Sequence, residues 1–204
     1  AENQLYTLEG AEYTVCKNGT SEVVCVIRTD ENGYGKAENL PEGLYDMKET
    51  KAPKGYVLDT RLHQVTVGAG KTVTYECQDV PEKTKIEILI RKMDTETGKN
   101  QAQAGLSLEG AEFYVGFYDS FFDDQTEIGV NSSLRSWKLR SDADGVVRMD
   151  AEHLISGDPF FENNEIPLGT ITVWETSAPE GYLVDPVTHC IRTGNEENGS
   201  YKAL

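Results

Sequence analysis

Long apolar runs are missing from this chain. No stretch approaches the roughly 18 consecutive apolar residues of a membrane-spanning helix, so no helical membrane insertion is expected of this segment. No signal-peptide pattern opens it, which fits a mature or excised segment. Positive charge is scarce as well: 19 Lys and Arg against 35 Asp and Glu leave a formal net charge of −16. A surface of that sign repels phosphate backbones and anionic headgroups, which excludes nucleic acid and acidic membranes as partners. The three histidines, His63, His153 and His189, are scattered and fit no nucleophile–base motif. His189 adjoins Cys190, but neighbours on a strand face opposite ways, which argues against a Cys–His dyad. Neither a phosphate-cradling loop nor a nucleotide fingerprint occurs, so neither enzyme nor cofactor is expected.

Cysteine is nearly as sparse. Cys16, Cys25, Cys77 and Cys190 follow no metal-ligand spacing. Cys16 and Cys25 flank the turn-rich "KNGTSEVV", and two readings stay open: a disulfide across a hairpin, or buried free thiols acting as small hydrophobes. Asp119, Asp123 and Asp124 cluster without the regular ligand spacing of calcium loops, so no metal site is expected.

What the chain does have is core material and repetition. Ten Tyr, six Phe and two Trp supply enough apolar bulk to argue against wholesale disorder despite the charge. Residues 40–59, "LPEGLYDMKETKAPKGYVLD", align without a gap on 166–185, "IPLGTITVWETSAPEGYLVD", with nine of twenty positions identical. Upstream, "LEGAEYTV" (8–15) matches "LEGAEFYV" (108–115), and "TDENGYG" (29–35) matches "SDADGVV" (141–147). The blocks keep their order while the offset between copies grows from 100 to 112 to 126, so the extra length falls between blocks. Insertions confined to connections are what a duplicated domain tolerates. Two homologous domains are expected, 1–81 and 82–204, joined near 80–84 ("VPEKT"), with two long insertions in the second.

Each copy reads as strands. "AEYTVC", "EVVCVIR", "HQVTV", "KTVTYEC" and "IEILIRK" alternate or run apolar and are separated by turn residues such as "KNGT", "DENG" and "DADG". Strands at about ten-residue spacing predict an all-β sandwich, with "DAEHLIS" (150–156) as the single helical turn. Alternation puts Tyr45, Met47 and Glu49 on one face, and Ile171, Val173 and Glu175 on another. Ile86, Ile88, Ile90 and Lys92 form a similar row, as do Val73, Tyr75, Cys77 and Asp79. A charge ending an apolar row is paired, neutralised or at a solvated rim. Periodicity alone favours the rim.

These blocks resemble the SpaA-type pilin domains and the B-type repeats of collagen adhesins from Gram-positive bacteria. The carriers are "LEGAEY/F", "TDENG", the "ET" that ends an alternating strand, "APxGYxxD", and "KMD" (92–94). The resemblance implies two tandem prealbumin-like, reverse-immunoglobulin β-sandwiches. It also implies an intramolecular isopeptide bond from a strand lysine to Asn or Asp, promoted by the "ET" glutamate. Glu49 and Glu175 then match the promoting acid, Lys92 the nucleophile and Asp79 the acceptor, where the family more often has Asn. Desolvation prepares both groups by raising a carboxyl pKa and lowering an amine pKa.

Neither set is complete on this alignment. The first domain has glutamate and acceptor without lysine; the second has lysine and glutamate without acceptor, and Asn195 and Asn198 of "GNEENG" read better as the tip of a hairpin than as surrogate acceptors. A segment of a longer array, loss of the bond, and completion by a strand from another molecule are the competing explanations. No intact bond is expected in the second domain unless a strand is supplied. The resemblance implies a structural or adhesive module on the cell-wall-anchored, extracellular surface of a Gram-positive bacterium, with neighbouring domains of the same array as partners. The alternative is a domain binding host extracellular protein or glycan through Phe117, Tyr118, Phe121 and Phe122, the aromatics of "GFYDSFFDDQTEIG" (116–129). Against it stands packing of those rings beneath "DPFFENN" (158–164).

Overall fold

A computed structural model describes residues 3–85, 88–94, 96, 98, 102, 105–130 and 133–194. Its contacts divide the chain into two units, Ala1–Glu82 and Lys83–Leu204. Ile86, Asn131, Asn195 and Asn198 lie outside the described residues.

Unit 1 contains β1 (Glu12–Lys17), β2 (Val23–Arg28), β3 (Gly43–Lys51), β4 (Tyr56–Val57), β5 (Leu62–Val67) and β6 (Val80–Pro81). Four of these form an antiparallel sheet in the order β2-β1-β3-β5, and β4 pairs with β6. The pleat sends alternate side chains to one face, and the register brings Val15 opposite both Met47 and Cys25. Tyr13, Val15, Tyr45 and Met47 are therefore buried together with Ala11, and Cys25, Ile27, Leu40 and Val65 flank them half-buried.

Unit 2 contains β7 (Lys83–Lys85), β8 (Leu89–Arg91), β9 (Glu112–Tyr118), β10 (Arg135–Arg140), β11 (Val146–Arg148), β12 (Leu154–Gly157), β13 (Glu165–Pro167), β14 (Gly169–Ser177) and β15 (Thr188–Thr193). Its sheet runs β12-β10-β9-β14-β15, and two short pairs, β8–β11 and β7–β13, make a second layer. Ile88, Ile90, Val147 and Ile166 of that layer share one core with Phe113, Val115, Trp137, Leu139, Ile171 and Val173. Both apolar faces are thus covered, the condition for a stable two-layer β-fold.

The repeated blocks build the same local devices in both units. In "TDENG" and "SDADG" the first aspartate accepts backbone N–H bonds two and four residues on: Asn32 and Tyr34 donate to Asp30, and Asp144 and Val146 to Asp142. Such Asx turns fix the chain reversal locally. The preceding hydroxyl ties the turn to "LEGA". Thr29 Oγ1 donates to Leu8 O and accepts from Ala11 N, while Ser141 Oγ does the same with Leu108 and Ala111.

Several sequence expectations change. Residues 71–79, including "KTVTYEC", join no ladder among the described residues, and Val73 and Tyr75 remain 44% and 45% exposed. "DAEHLIS" is no helix: Asp150 Oδ1 accepts the N–H groups of Glu152 and His153 in a turn that feeds β12. The described helical turns are 3-10 segments at Gln125–Val130 and Glu162–Asn164. All four cysteines are free, since Cys16 pairs with Val23 while Cys25 faces Val15. Cys77 is exposed rather than buried.

Candidate functional site

The doubled phrase "ET-x-AP-x-GY-x-x-D" folds into a device that caps its own glutamate. After β3 and β14 the chain turns through a glycine at φ +87°, Gly55 or Gly181. That left-handed backbone favours glycine, and an added Cβ would meet Leu5 O and Tyr6 in one unit and Leu106 in the other. The turn returns the backbone to the glutamate ten residues back. Asp59 N–H donates to Glu49 Oε2 at 2.6 Å, and Asp185 N–H donates to Glu175 Oε2 at 2.7 Å. Both carboxylates are interior, Glu49 at 0% and Glu175 at 6% exposure, so the solvated-rim reading does not hold for them.

In unit 2 the glutamate has a cation. Lys92 follows β8, its own N–H donating to Gly145 O. Its Nζ lies 2.9 Å from each oxygen of Glu175, donating to Oε2. The lysine side chain is 13% exposed and the glutamate side chain 1%, so the pair is desolvated. Asp94, 1% exposed, accepts from Tyr182 Oη at 3.1 Å, which anchors "KMD" to the "APEGY" loop.

In unit 1 the same position has no cation among the described residues. Glu49 Oε1 and Asp79 Oδ1 are buried without a hydrogen-bond partner, as is Glu175 Oε1, but only Glu175 Oε1 has a cation beside it, Lys92 Nζ at 2.9 Å. Burial pushes the Glu49 carboxyl above its ordinary pKa against the Asp59 N–H, and the Asp79 charge adds to the rise. Burial raises Asp79 as well, with the Asp59 charge contributing. The Asp79 charge therefore opposes ionisation of Glu49. Burial also raises the Tyr13 hydroxyl, and Tyr13 and Cys77 line the same cleft. Asp59 differs: Arg61 beside it holds its carboxyl well below the usual range, and His63 Nε2 lies 3.1 Å away. Tyr75 Oη meets His63 Nδ1 at 2.7 Å, which pins segment 71–79 to the sheet.

Comparison with known proteins matches this geometry to a family. Residues 2–81 fit the family model of SpaA, a prealbumin-like fold domain. Unit 1 is a SpaA-type domain. Over 47 residues the chain is 36% identical to the trypsin-resistant surface T6 protein of Streptococcus pyogenes serotype M6, a match covering 23% of this chain and 9% of that protein. The solved structure of the Bacillus anthracis TIE protein is similar over 94% of this chain at 25% identity and a TM-score of 0.60. The chain spans 29% of that structure, so both relatives are far longer than the region shared. The architecture is thus all-β and prealbumin-like, and unit 2 carries the same three repeated blocks on a larger sheet.

The aromatic insertion of unit 2 is mostly interior. Phe117, Tyr118 and Phe122 are 0%, 3% and 2% exposed, which removes them from any surface patch. β9 simply runs on through 116–118, and Phe117 meets Phe161 of "DPFFENN" edge to face at 5.2 Å. Phe122 packs on Tyr118, its N–H donating to Thr170 Oγ1. Phe121 alone reaches the surface, with Arg192 over its ring. Asp123 pairs with Arg192 and Asp124 accepts from Thr126 N–H, so both have structural partners. Sequence reasoning missed the Asp59 and Asp185 amides. Their signal was present, since the aspartate closes both copies of the phrase at the same spacing.

Proposed function

We propose that the chain is a structural and adhesive module of a cell-wall-anchored Gram-positive surface protein, built of two separate SpaA-type domains whose buried glutamates promote isopeptide bonds. The observation that carries this reading is the contact of Lys92 Nζ with Glu175 at 2.9 Å in a desolvated site. Glu175 and Glu49 are the promoting acids, Lys92 is the nucleophile of unit 2, and Asp79 is the acceptor of unit 1. Lys92 first passes a proton to Glu175 across their contact, and the neutral amine then attacks the side-chain carbonyl carbon and forms a C–N bond. The glutamic acid protonates the carbonyl oxygen and accepts a proton from the amine. The C–O bond of an aspartic acid breaks and water leaves; ammonia leaves from an asparagine. Fixing the groups in one core replaces an encounter in solution. The resulting cross-link would suit a protein that carries mechanical load.

The chemistry is tested by adding a peptide of residues 71–80, which carries the Asp79 acceptor, and measuring intact mass under denaturing conditions. The expected product is chain plus peptide minus one water, absent with Lys92→Arg and with Glu175→Gln. No product with the wild-type chain, or a product that survives Lys92→Arg, rejects Lys92 as nucleophile. The adhesive part is tested by a solid-phase screen against matrix proteins, mucins and glycans. Binding lost with the surface substitution Phe121→Ala, with Trp137 and Trp174 fluorescence unchanged, supports adhesion through this face, and uniform silence leaves a purely structural stalk.

A further inference from the structure

Both copies of the doubled phrase end in an aspartate that lies outside the buried core, Asp59 half-buried and Asp185 exposed. The backbone of each nevertheless reaches a buried glutamate, and the aspartate side chain explains how. Asp59 Oδ1 accepts the N–H of Arg61 at 2.9 Å, and Asp185 Oδ1 accepts the N–H of Val187 at 2.9 Å. Each is an Asx turn, a carboxylate bonded to the backbone two residues on, which fixes the local chain direction. The donor residue differs between the copies, Arg in one and Val in the other, so the aspartate is the shared part. With the turn fixed, its own N–H points back at Oε2 of the glutamate, 2.6 Å away in unit 1 and 2.7 Å in unit 2.

This bond makes the two glutamate oxygens unequal. Oε2 holds a donor in both units, while Oε1 has no hydrogen-bond partner in either. A carboxylic acid has one O–H and one carbonyl oxygen, and only the carbonyl oxygen accepts an N–H without setting hydrogen against hydrogen. The acid form of either glutamate therefore carries its proton on Oε1. In unit 2 Lys92 Nζ lies 2.9 Å from Oε1 while donating to Oε2. Its three N–H bonds rotate about the end of the stem, so Oε1 is within their reach.

We propose that Asp59 and Asp185 are positioning residues: each builds the turn that holds its own amide on Oε2 and so reserves Oε1 for the proton. What that proton does rests on the isopeptide reading above. In the transfer, one N–H bond of Lys92 breaks and an O–H bond forms at Oε1. The ammonium becomes a neutral amine and the carboxylate a neutral acid. The amide bond to Oε2 survives, because a carboxylate oxygen and a carbonyl oxygen both accept it. The glutamate thus changes protonation without reorienting.

The test compares alanine and asparagine at 59 and at 185 in the whole chain. The backbone amide survives both substitutions, but only asparagine keeps a side-chain oxygen for the Asx turn. Infrared difference spectra against Glu49→Gln in each background isolate the C=O band of protonated Glu49 in acid. That band should rise in frequency with Asp59→Ala, as its carbonyl loses a hydrogen bond, and stay in place with Asp59→Asn. Exchange of the amide at the substituted position should quicken by about tenfold or more in each alanine variant alone. Asp185→Ala should also slow adduct formation with the 71–80 peptide by about tenfold or more, and Asp185→Asn by less than about twofold. A band unmoved by Asp59→Ala despite faster exchange places the proton on Oε2 and overturns the assignment. Equal effects of alanine and asparagine overturn the role of the turn. Adduct missing from every chain, with band and exchange changing as expected, rejects the isopeptide reading and leaves the positioning role standing.

Discussion

The two units share their strand order, turns and glutamate cap, yet among the described residues their inner faces are covered differently. β12 aside, β10-β9-β14-β15 of unit 2 repeats β2-β1-β3-β5 of unit 1. The difference lies in the second layer. Unit 2 has β8 and β13 over its sheet and a twelve-residue buried cluster; unit 1 has a five-residue cluster beside its cleft. The same sequence device, a buried glutamate held by the amide ten residues on, therefore sits in two electrostatic settings. Beside Lys92 it is half of an ion pair; beside Asp79 it is one of two carboxyls without a cation.

The sharpest way to break this contrast is to make unit 2 resemble unit 1. Lys92→Met leaves Glu175 as an uncompensated buried charge, expected to destabilise unit 2 by about 3–5 kcal/mol. Both tryptophans, Trp137 and Trp174, belong to unit 2, so urea unfolding followed by their fluorescence reads this unit alone. The double substitution Lys92→Met with Glu175→Leu should recover most of the loss, because well-packed apolar replacements of a buried pair are often neutral. A single-site loss within error would mean the pair is solvated in solution.

Next in size is the value of covering the core. Ile171 and Tyr45 occupy the same place in the two copies, with Val173 and Met47 one turn of the pleat further on. Truncating a buried Ile or Met to Ala costs about 2–5 kcal/mol, depending on how far the site can relax. Ile171→Ala should fall at the upper end, since two layers enclose it. Met47→Ala should fall at the lower end, since its side chain borders the cleft. Native-state hydrogen exchange at the amides of β14 and β3 reads each unit separately. Equal costs would show that the cleft is closed in solution.

Much of this was written in the sequence. The period-2 rows placed Glu49 and Glu175 on core-facing sides, and the three blocks marked the turns and the doubled sheet. Depth was not written there, because alternation specifies a face but not whether a strand end reaches solvent. Burial of these glutamates depends on the returning "APxGYxxD" loop, a contact made across the turn. Residues 71–79 mislead for a related reason: their pattern is that of a strand, but a ladder needs a neighbour. The aromatics at 117–122 misled by composition, since their partners Phe161 and Thr170 lie about 40 to 50 residues away.

A smaller expected effect concerns pH. The Glu49 and Asp79 carboxyls are raised in the folded state by burial first, with the Asp79 charge adding to Glu49 and the Asp59 charge adding to Asp79. A raised carboxyl lends stability below its unfolded value, about 4.3 for Glu, and that stability is lost as pH rises through the folded value. Unit 1 should therefore weaken from the carboxylate range upward toward neutrality. Asp59, held ionised by Arg61, and the Tyr13 hydroxyl are the other titratable groups facing Glu49. Glu49→Met should stabilise unit 1 by about 1–3 kcal/mol at pH 7, the cost of an unpaired buried polar group, and less at pH 4. Unit 2 weakens in a higher window. Burial opposes the charged form of His153, but Asp150 at 2.7 Å and Asp142 outweigh it and raise the pKa. Its contribution is complete below about 6.5 and fades as pH rises through the folded value. Exchange rates in β3 and β14 across this range separate the two windows, and a single common transition would contradict the assignment.

The smallest effect is the one expected to be equal in both units. Glu12 lies opposite Arg28 across β1 and β2, with oxygen and nitrogen 3.0 Å apart. Glu112 lies opposite Arg140 across β9 and β10 at 2.8 Å, with Lys138 as a second cation. These pairs sit on the outer face of each sheet, away from both glutamate sites. Exposed cross-strand pairs contribute about 0.2–1 kcal/mol. Glu12→Gln and Glu112→Gln should each cost no more than that, the second slightly more because it loses two cations, and both losses should shrink in 1 M salt. The units differ in what covers the inner face, so the outer face should respond alike. A Glu12→Gln loss several times larger than its counterpart would show that the sheet of unit 1 lacks the independent stability that the sheet of unit 2 has.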